Sequence, residues 1–549
     1  MFFSRKFPSS CHSTASPNGQ LVATLFPQAV TVRSVESMEV VSTIKLPSDL
    51  SGNVCSFLWS PTSDKLLVAA PDEIHVFPAL RKSFRAVIRN PMNVTSRHLF
   101  VQFGPTGTDV LACPPFGLKF VIFDLNSSRC FEIGNPKFFG PLSASKGFSF
   151  RPRTAHLALL TRAQGKDLVS LHHPVSRELL RSWHPDTMDA SQLSWTTDGR
   201  WLVVCESPAH GHKLLFYTSD GHLFKTWTGP SDPPVTDKDY ALGAGIRVVE
   251  CSRDGESIAV GDHSRCICVL NGGAVTEGIW QEQLTIPQTG CSVHAFVKAS
   301  LAVSPPPWAV EASKPPPNNG AINARNASGA TGDDLRSGAS LIAFDASTTL
   351  LASRIEEAPT TVWIWDLKAA ELRAVLMFHG HVTSLSWHPS IRELLAIRCD
   401  GDSYGGILFV WDPLWQGPRA VNFVDRLAEQ RVVGRSRWSW LDVQADSAAL
   451  FFADSKEAMF ASIAESDEEL LPWESHEQGQ QQQHEREANS FSGSSGHREE
   501  SPLELIPAED VQGEGYNLVT DEEEEVAVVD ITELDDTFRF KKFVSPRDT

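Results

Sequence analysis

Apolar and polar residues alternate with a period of two along short runs of this chain, and turn residues separate the runs. The pattern is fullest from Thr360 to Pro389, TTVWIWDLKAAELRAVLMFHGHVTSLSWHP. One alternating run ends in Trp365-Asp366. A polar turn and a second run, Leu372 to Phe378, follow. Gly380-His381 opens a third, in which Val382, Ser384 and Ser386 alternate with Thr383, Leu385 and Trp387. Such runs, broken by turns, predict antiparallel strands. The unit recurs about every 35 to 45 residues, a repeat-architecture period. Each copy has an alternating strand, Ser/Asp-Pro-x-Gly or a relative of it, an apolar run of Leu-x-Val-Ala type, and a further alternating strand. Nine copies begin near Cys11, Val54, Leu99, Lys146, Ser191, Ile246, Ala339, Val382 and Arg437.

A Trp-Asp ending followed by a Gly-His opening marks the blade of a WD-repeat propeller. Trp365, Asp366 and His381 carry the signal once, and Trp411 and Asp412 repeat its first half. The Trp is expected to pack between blades, the Asp to start the turn out of the strand, and Gly-His to make the crossing. The predicted fold is therefore all-β, a WD-repeat β-propeller of about nine blades in one ring over residues 1–463. Two part-propellers, divided between the sixth and seventh units, are the alternative. Residues 300–337 fill that gap with Pro, Gly, Asn and Ala, which predicts a disordered insertion. The ninth unit supplies three strands and ends near Ile463. Phe2 to Phe7 is expected to add its outer strand, because closure removes exposed edges.

Charge divides the chain differently. The net charge is −19, and the segment from Glu465 to Thr549 holds 24 acidic against 6 basic residues. Residues 464–549 read as an acidic low-complexity tail, and the body is close to neutral. That balance gives no footprint for nucleic acid. Val526 to Ile531 and Phe538 to Val544 are less polar islands in the tail and read as docking candidates. No apolar run reaches membrane-spanning length, and the first twenty residues lack a signal-peptide core. A soluble, cytoplasmic protein without membrane insertion is expected. The 10 cysteines mostly adjoin apolar runs and read as free thiols of a reducing compartment.

Enzyme chemistry is not legible. The chain has no G-x-S-x-G elbow, phosphate-binding glycine loop or H-E-x-x-H motif. No catalytic residue, cofactor or metal is expected. Cys266 and Cys268 share a strand face without a second ligand pair and read as core. His210 and His212 read as a surface loop.

Ser182 to Trp227, SWHPDTMDASQLSWTTDGRWLVVCESPAHGHKLLFYTSDGHLFKTW, resembles a blade of the WD-repeat-eight family of centrosomal and spindle-pole-body proteins. Asp186-Thr187, Asp189, Leu193, Trp195 with its Asp-Gly turn, and Lys213 to Tyr217 carry the likeness. The sixth unit and TVWIWDLKAAELRAVL extend it, and the glutamine run is similar to fungal members. The resemblance implies a non-catalytic adaptor in spindle organisation, located at the spindle pole body or another microtubule-organising centre. Its implied partners are a coiled-coil microtubule-anchoring protein and a minus-end-directed kinesin, with microtubules held indirectly. A translation-initiation-factor-like propeller or a generic WD-repeat scaffold is the alternative. Trp183, Asp186, Thr187 and Asp189 are the expected partner-binding residues, since WHPDTMD joins two units on a face where loops gather. Trp183 is the expected anchor, the alternative being that it packs between blades and Asp186 only caps a turn; joint replacement of Asp186 and Asp189 is expected to spare the core.

Overall fold

The computed structural model describes residues 1–47, 50, 54–80, 84–89, 100–113, 118–137, 147–229, 245–263, 266–272, 281–287, 338–463, 471–473 and 540–543. Short gaps fall at 392, 402–403, 428–432, 434–435 and 442–447, and 281–287 and 540–543 are described as backbone. The expected insertion at 300–337 and most of the acidic tail, including the island at 526–531, lie outside the described residues.

The described strands form nine antiparallel sheets, each of four or five strands. The nine blades begin with inner strands Ser13–Ala15, Ser56–Trp59, Phe100–Phe103, Phe148–Phe150, Ala190–Trp195, Ile246–Cys251, Ala339–Phe344, Val382–Trp387 and Arg437–Leu441. Blades are numbered in that order. In blades one and three to eight the next three strands follow in sequence, each beside the last. Second and third strands, such as Asp109–Cys113 and Leu214–Thr218, are buried almost throughout. Outer strands such as Val40–Lys45 and Cys130–Gly134 are largely exposed.

The recurrent Ser/Asp-Pro-x-Gly signature has a physical reason. Ser16, Ser60, Thr196 and Ser252 each place a hydroxyl oxygen where it accepts from the backbone N–H five residues on, at 2.9–3.1 Å. The Asp345 carboxylate does the same for Leu350 at 2.9 Å. The short oxygen closes the turn between first and second strands and satisfies a donor that would otherwise be stranded.

Nine apolar clusters straddle nine successive blade junctions. The one joining blade nine to blade one contains Phe7, Val22 and Val35 with Leu441, Phe451 and Phe460. Its counterparts run without a break from the junction of blades one and two to that of blades eight and nine. The ring is therefore single and closed; the split into two part-propellers does not occur.

The closing blade is assembled from both ends of the body. Its strands Arg437–Leu441, Ala449–Ala453 and Glu457–Ser462 are followed outward by Phe2–Phe3 and Phe7–Pro8. Phe2 pairs with Ser462, Phe3 with Ala461, Phe7 with Ala458 and Pro8 with Glu457. Phe7 packs on Phe460, with ring centroids 5.4 Å apart. Ser4 seals the strand change, its N–H donating to Phe460 O and its hydroxyl accepting from Phe460 N–H. Packing continues past Ile463, since Trp473 stacks on Phe460 at 5.9 Å. Phe540–Phe543, within the second tail island, pairs antiparallel with Arg85–Arg89 as a fifth strand on the edge of blade two.

Among the described residues the only helices are short 3-10 turns such as Pro208–His210 and Val424–Arg426. None is long and apolar enough to cross a membrane.

Candidate partner-binding face

The segment from Trp183 to Ala190 connects the outer strand of blade four, Leu179–Trp183, to the inner strand of blade five, Ala190–Trp195. Its backbone is held by two buried carboxylates. Glu206 accepts from the N–H groups of Met188 at 2.7 Å, Asp189 at 2.8 Å and Ser207 at 3.1 Å. Asp167 accepts from Ala190 N–H at 2.6 Å and from the Thr187 hydroxyl at 3.0 Å. His184 Nδ1 donates to Asp167 O at 2.8 Å. A crossing that would otherwise be a mobile loop is thereby fixed at five backbone or side-chain points.

The same carboxylates organise the cations. Lys137 is 8% exposed and bridges Asp167 and Asp189, at 2.7 Å to each. Arg162 reaches the same Asp189 oxygen at 2.6 Å. Lys137 and Asp167 are the buried pair of this set, and Asp189 and Arg162 lie at its partly exposed edge. Burial pushes the Asp189 carboxyl up, but hydrogen bonds and charge from Lys137 and then Arg162 outweigh burial and hold it below its ordinary value.

The four expected site residues separate into different roles. Trp183 is part-buried between blades four and five, its ring 5.2 Å from Tyr217. It lies flat over Gly221, where a Cβ would come within 2.6 Å of the indole and where φ is +78°, so glycine is required on both counts. Thr187 and Asp189 face inward, to Asp167 and to Lys137 and Arg162. Joint replacement of Asp186 and Asp189 would therefore not spare the core, because Asp189 is a partner of a buried lysine. Asp186 differs: its side chain is 81% exposed and meets only Lys213, at 2.7 Å. Beside it Met188 is 71% exposed, a residue the sequence did not single out.

The repeat markers also sort themselves. Trp365 is part-buried against the cluster joining blades six and seven, and Trp411 is buried between blades seven and eight. Asp366 accepts from the N–H groups of Lys368 and Ala369, and Asp412 from that of Leu414, so each starts its turn. His381 is exposed, and its carbonyl accepts from Asp400 N–H. Its contribution to the crossing is made by backbone. Buried Arg354 joins these blades instead, donating to Ser340 Oγ, Glu356 and Val382 O.

His212 Nε2 donates to the Asp262 carboxylate across the junction of blades five and six at 3.1 Å, while His210 is exposed. Among the described residues no three His, Cys, Asp or Glu side chains converge as a metal site. The nine described cysteines are free. Five are buried, including Cys266 and Cys268; Cys11 and Cys130 are exposed, so the core reading does not extend to those two.

No family model matches the chain. It is similar to the WD repeat-containing protein WRAP73 of Mus musculus, with 26% identity over 325 residues, 57% of this chain and 66% of that protein. The match thus spans just under two thirds of the mouse protein. An uncharacterized WD repeat-containing protein of Schizosaccharomyces pombe, C32H8.09, is 21% identical over 416 residues, 71% of this chain and 78% of that protein. Among solved structures, a eukaryotic initiation factor aligns with a TM-score of 0.46 at 12% identity, covering 75% of this chain and 87% of that one. The Cps50 (Swd1) β-propeller domain of Myceliophteria thermophila aligns with a TM-score of 0.34 at 13% identity, over 74% and 99%. Sequence relatives and architecture agree on a WD-repeat propeller scaffold.

Proposed function

We propose that this WD-repeat propeller is a non-catalytic adaptor at the microtubule-organising centre. In this reading it binds a coiled-coil anchoring protein and, with a minus-end-directed kinesin, holds microtubule minus ends at the spindle pole. The observation that carries the reading is the display of Asp186 and Met188. Two exposed side chains stand on a segment whose neighbours Thr187 and Asp189 are tied into the ring. A preorganised surface loses little entropy on binding. An exposed methionine adapts to an apolar stripe, and a carboxylate beside it suits the charged flank of a coiled coil. The near-neutral body and acidic tail support attachment to microtubules through partners rather than by charge.

The test is a tagged full-length chain carrying Asp186→Lys and Met188→Asp. Both sites are exposed, so stability should change by no more than about 0.5 kcal/mol. The wild type should form discrete spindle-pole foci and retain a coiled-coil partner in a pull-down; the variant should lose both. Diffuse or polysome-associated wild-type protein would end the reading. Foci that survive the double substitution would remove this segment from it.

A further inference from the structure

Four blades carry a tryptophan at or next to the end of the inner strand: Trp59, Trp195, Trp387 and Trp440. In three of them the indole N–H donates to a carbonyl of the preceding blade's inner strand. Trp59 donates to Thr14 at 3.0 Å, Trp387 to Ala343 at 2.9 Å and Trp440 to Ser386 at 2.9 Å. Trp195 is buried to the same degree, at 6% exposure, yet its Nε1 has no partner. An unmade hydrogen bond inside a protein costs about 1 to 3 kcal/mol, so the exception needs a reason.

Trp195 is set apart in a second respect. It lines a cavity of about 290 Å³ between blades four and five. The cavity is bounded by Arg151 and His156, from the turn between first and second strands of blade four, and by Arg181 from its outer strand. It therefore opens at the end of the blades opposite the Asp186 segment. The Arg151 guanidinium lies 5.5 Å from the Trp195 ring, and its Nε donates to Gly199 O. Arg181 reaches only His222, at 3.5 Å. Neither arginine has a carboxylate within ion-pair distance among the described residues. His156 Nδ1 is also buried without a partner. The one carboxylate on the wall, Asp220, is exposed. Two guanidinium groups and an imidazole thus border a half-open volume whose one lining carboxylate is Asp220. Leu180, about half exposed, and the buried Leu171 are the aliphatic residues of the wall.

We propose that this pocket is a second binding site, which takes the phosphoryl group of a phosphorylated serine or threonine in an extended peptide of a partner protein. Two guanidinium groups match a group of charge about −1.5 to −2, and donors on several sides suit a tetrahedral oxoanion better than a planar carboxylate. The Trp195 ring walls the site beside the Arg151 guanidinium. Leu180 beside the cavity would hold an apolar residue next to the phosphorylated one.

The experiment uses immobilised full-length protein and two degenerate peptide pools, identical except that one carries a single phosphoserine. The phosphorylated pool should be retained at least about ten-fold over the other, with apolar residues enriched beside the phosphoserine. Arg181→Gln should abolish the preference. Arg151→Gln should weaken it several-fold. Equal retention of the two pools would overturn the proposal, as would retention that Arg181→Gln leaves intact. A pool with glutamate in place of phosphoserine retained as strongly would overturn the assignment to a phosphoryl group.

Discussion

The junction of blade nine with blade one and that of blade four with blade five bury apolar side chains alike, but they are finished by opposite chemistry. The first is sealed by phenylalanines and backbone pairing: Phe2, Phe3 and Phe7 lie along Glu457–Ser462, and Phe7, Phe451 and Phe460 pack together. The second is finished by ions, with Lys137 between Asp167 and Asp189 and Glu206 gathering three backbone N–H groups. Apolar contact is non-directional and strong per area, which suits a seam between chain ends more than 450 residues apart. Ionic and hydrogen-bonded contacts are directional and contribute less net stability. They suit a junction whose task is to hold a displayed segment in one orientation.

Breaking the seam should have the larger effect. Deleting residues 1–8 removes both added strands and the Phe7 side chain, whose truncation alone costs about 3 to 5 kcal/mol. The denaturant midpoint should fall by more than Phe7→Ala lowers it. An unchanged midpoint would show that the seam does not carry the ring. Asp167→Ala should come next, at about 3 to 5 kcal/mol, because it leaves a buried lysine short of a partner. Adding Lys137→Met should recover part of that loss. If the double variant is no more stable than Asp167→Ala, the cost does not come from the stranded charge.

Acid should separate the two junctions more gently. Burial, and then Arg437 of blade nine, push His12 of blade one below its ordinary 6.5. The unfolded chain then takes up the proton first, and the neutral imidazole's contribution is lost as pH falls below 6.5 towards the folded value. Asp189, held below its ordinary 3.8, contributes fully above 3.8 and is lost only as pH falls below it. Burial also lowers His75, His156 and His172, so the useful measurement is a difference. The stability of His12→Gln relative to wild type should rise between pH 6.5 and about 5. A difference that stays constant with pH would rule this out.

The two junctions were unequally legible in the sequence. Alternation and turn chemistry are local properties, so Ser16, Ser60 and Asp345 announce their turns and Trp365-Asp366 and Trp411-Asp412 their strand ends. Outer strands such as Cys130–Gly134 were harder to see, because they are solvated and carry no apolar rhythm. The ionic set was not legible at all. Lys137 and Asp167 lie 30 residues apart, and nothing local to either says that both are buried. Asp186 and Asp189 look equivalent three residues apart, yet one is displayed and the other holds a buried cation. Only the tertiary position of Lys137 distinguishes them. Trp183 could be read from the sequence as an anchor for a partner or as packing between blades, because an aromatic residue in a connecting segment carries no mark of the glycine beneath it.

The order in which this protein is made gives the Phe2–Pro8 strands a particular history. They leave the ribosome well before their pairing partner, Glu457–Ser462, which is made some 450 residues later. At about 5 to 20 residues per second, the interval is on the order of tens of seconds. Throughout it eight blades can stack while the first strand waits unpaired and the nascent ring keeps two open edges. Phenylalanine at positions 2, 3 and 7 is a hazard in that interval, and Arg5 and Lys6 between them act against edge-to-edge association. Closure therefore waits for blade nine, and any truncation before it leaves Phe2–Pro8 without Glu457–Ser462 to pair with.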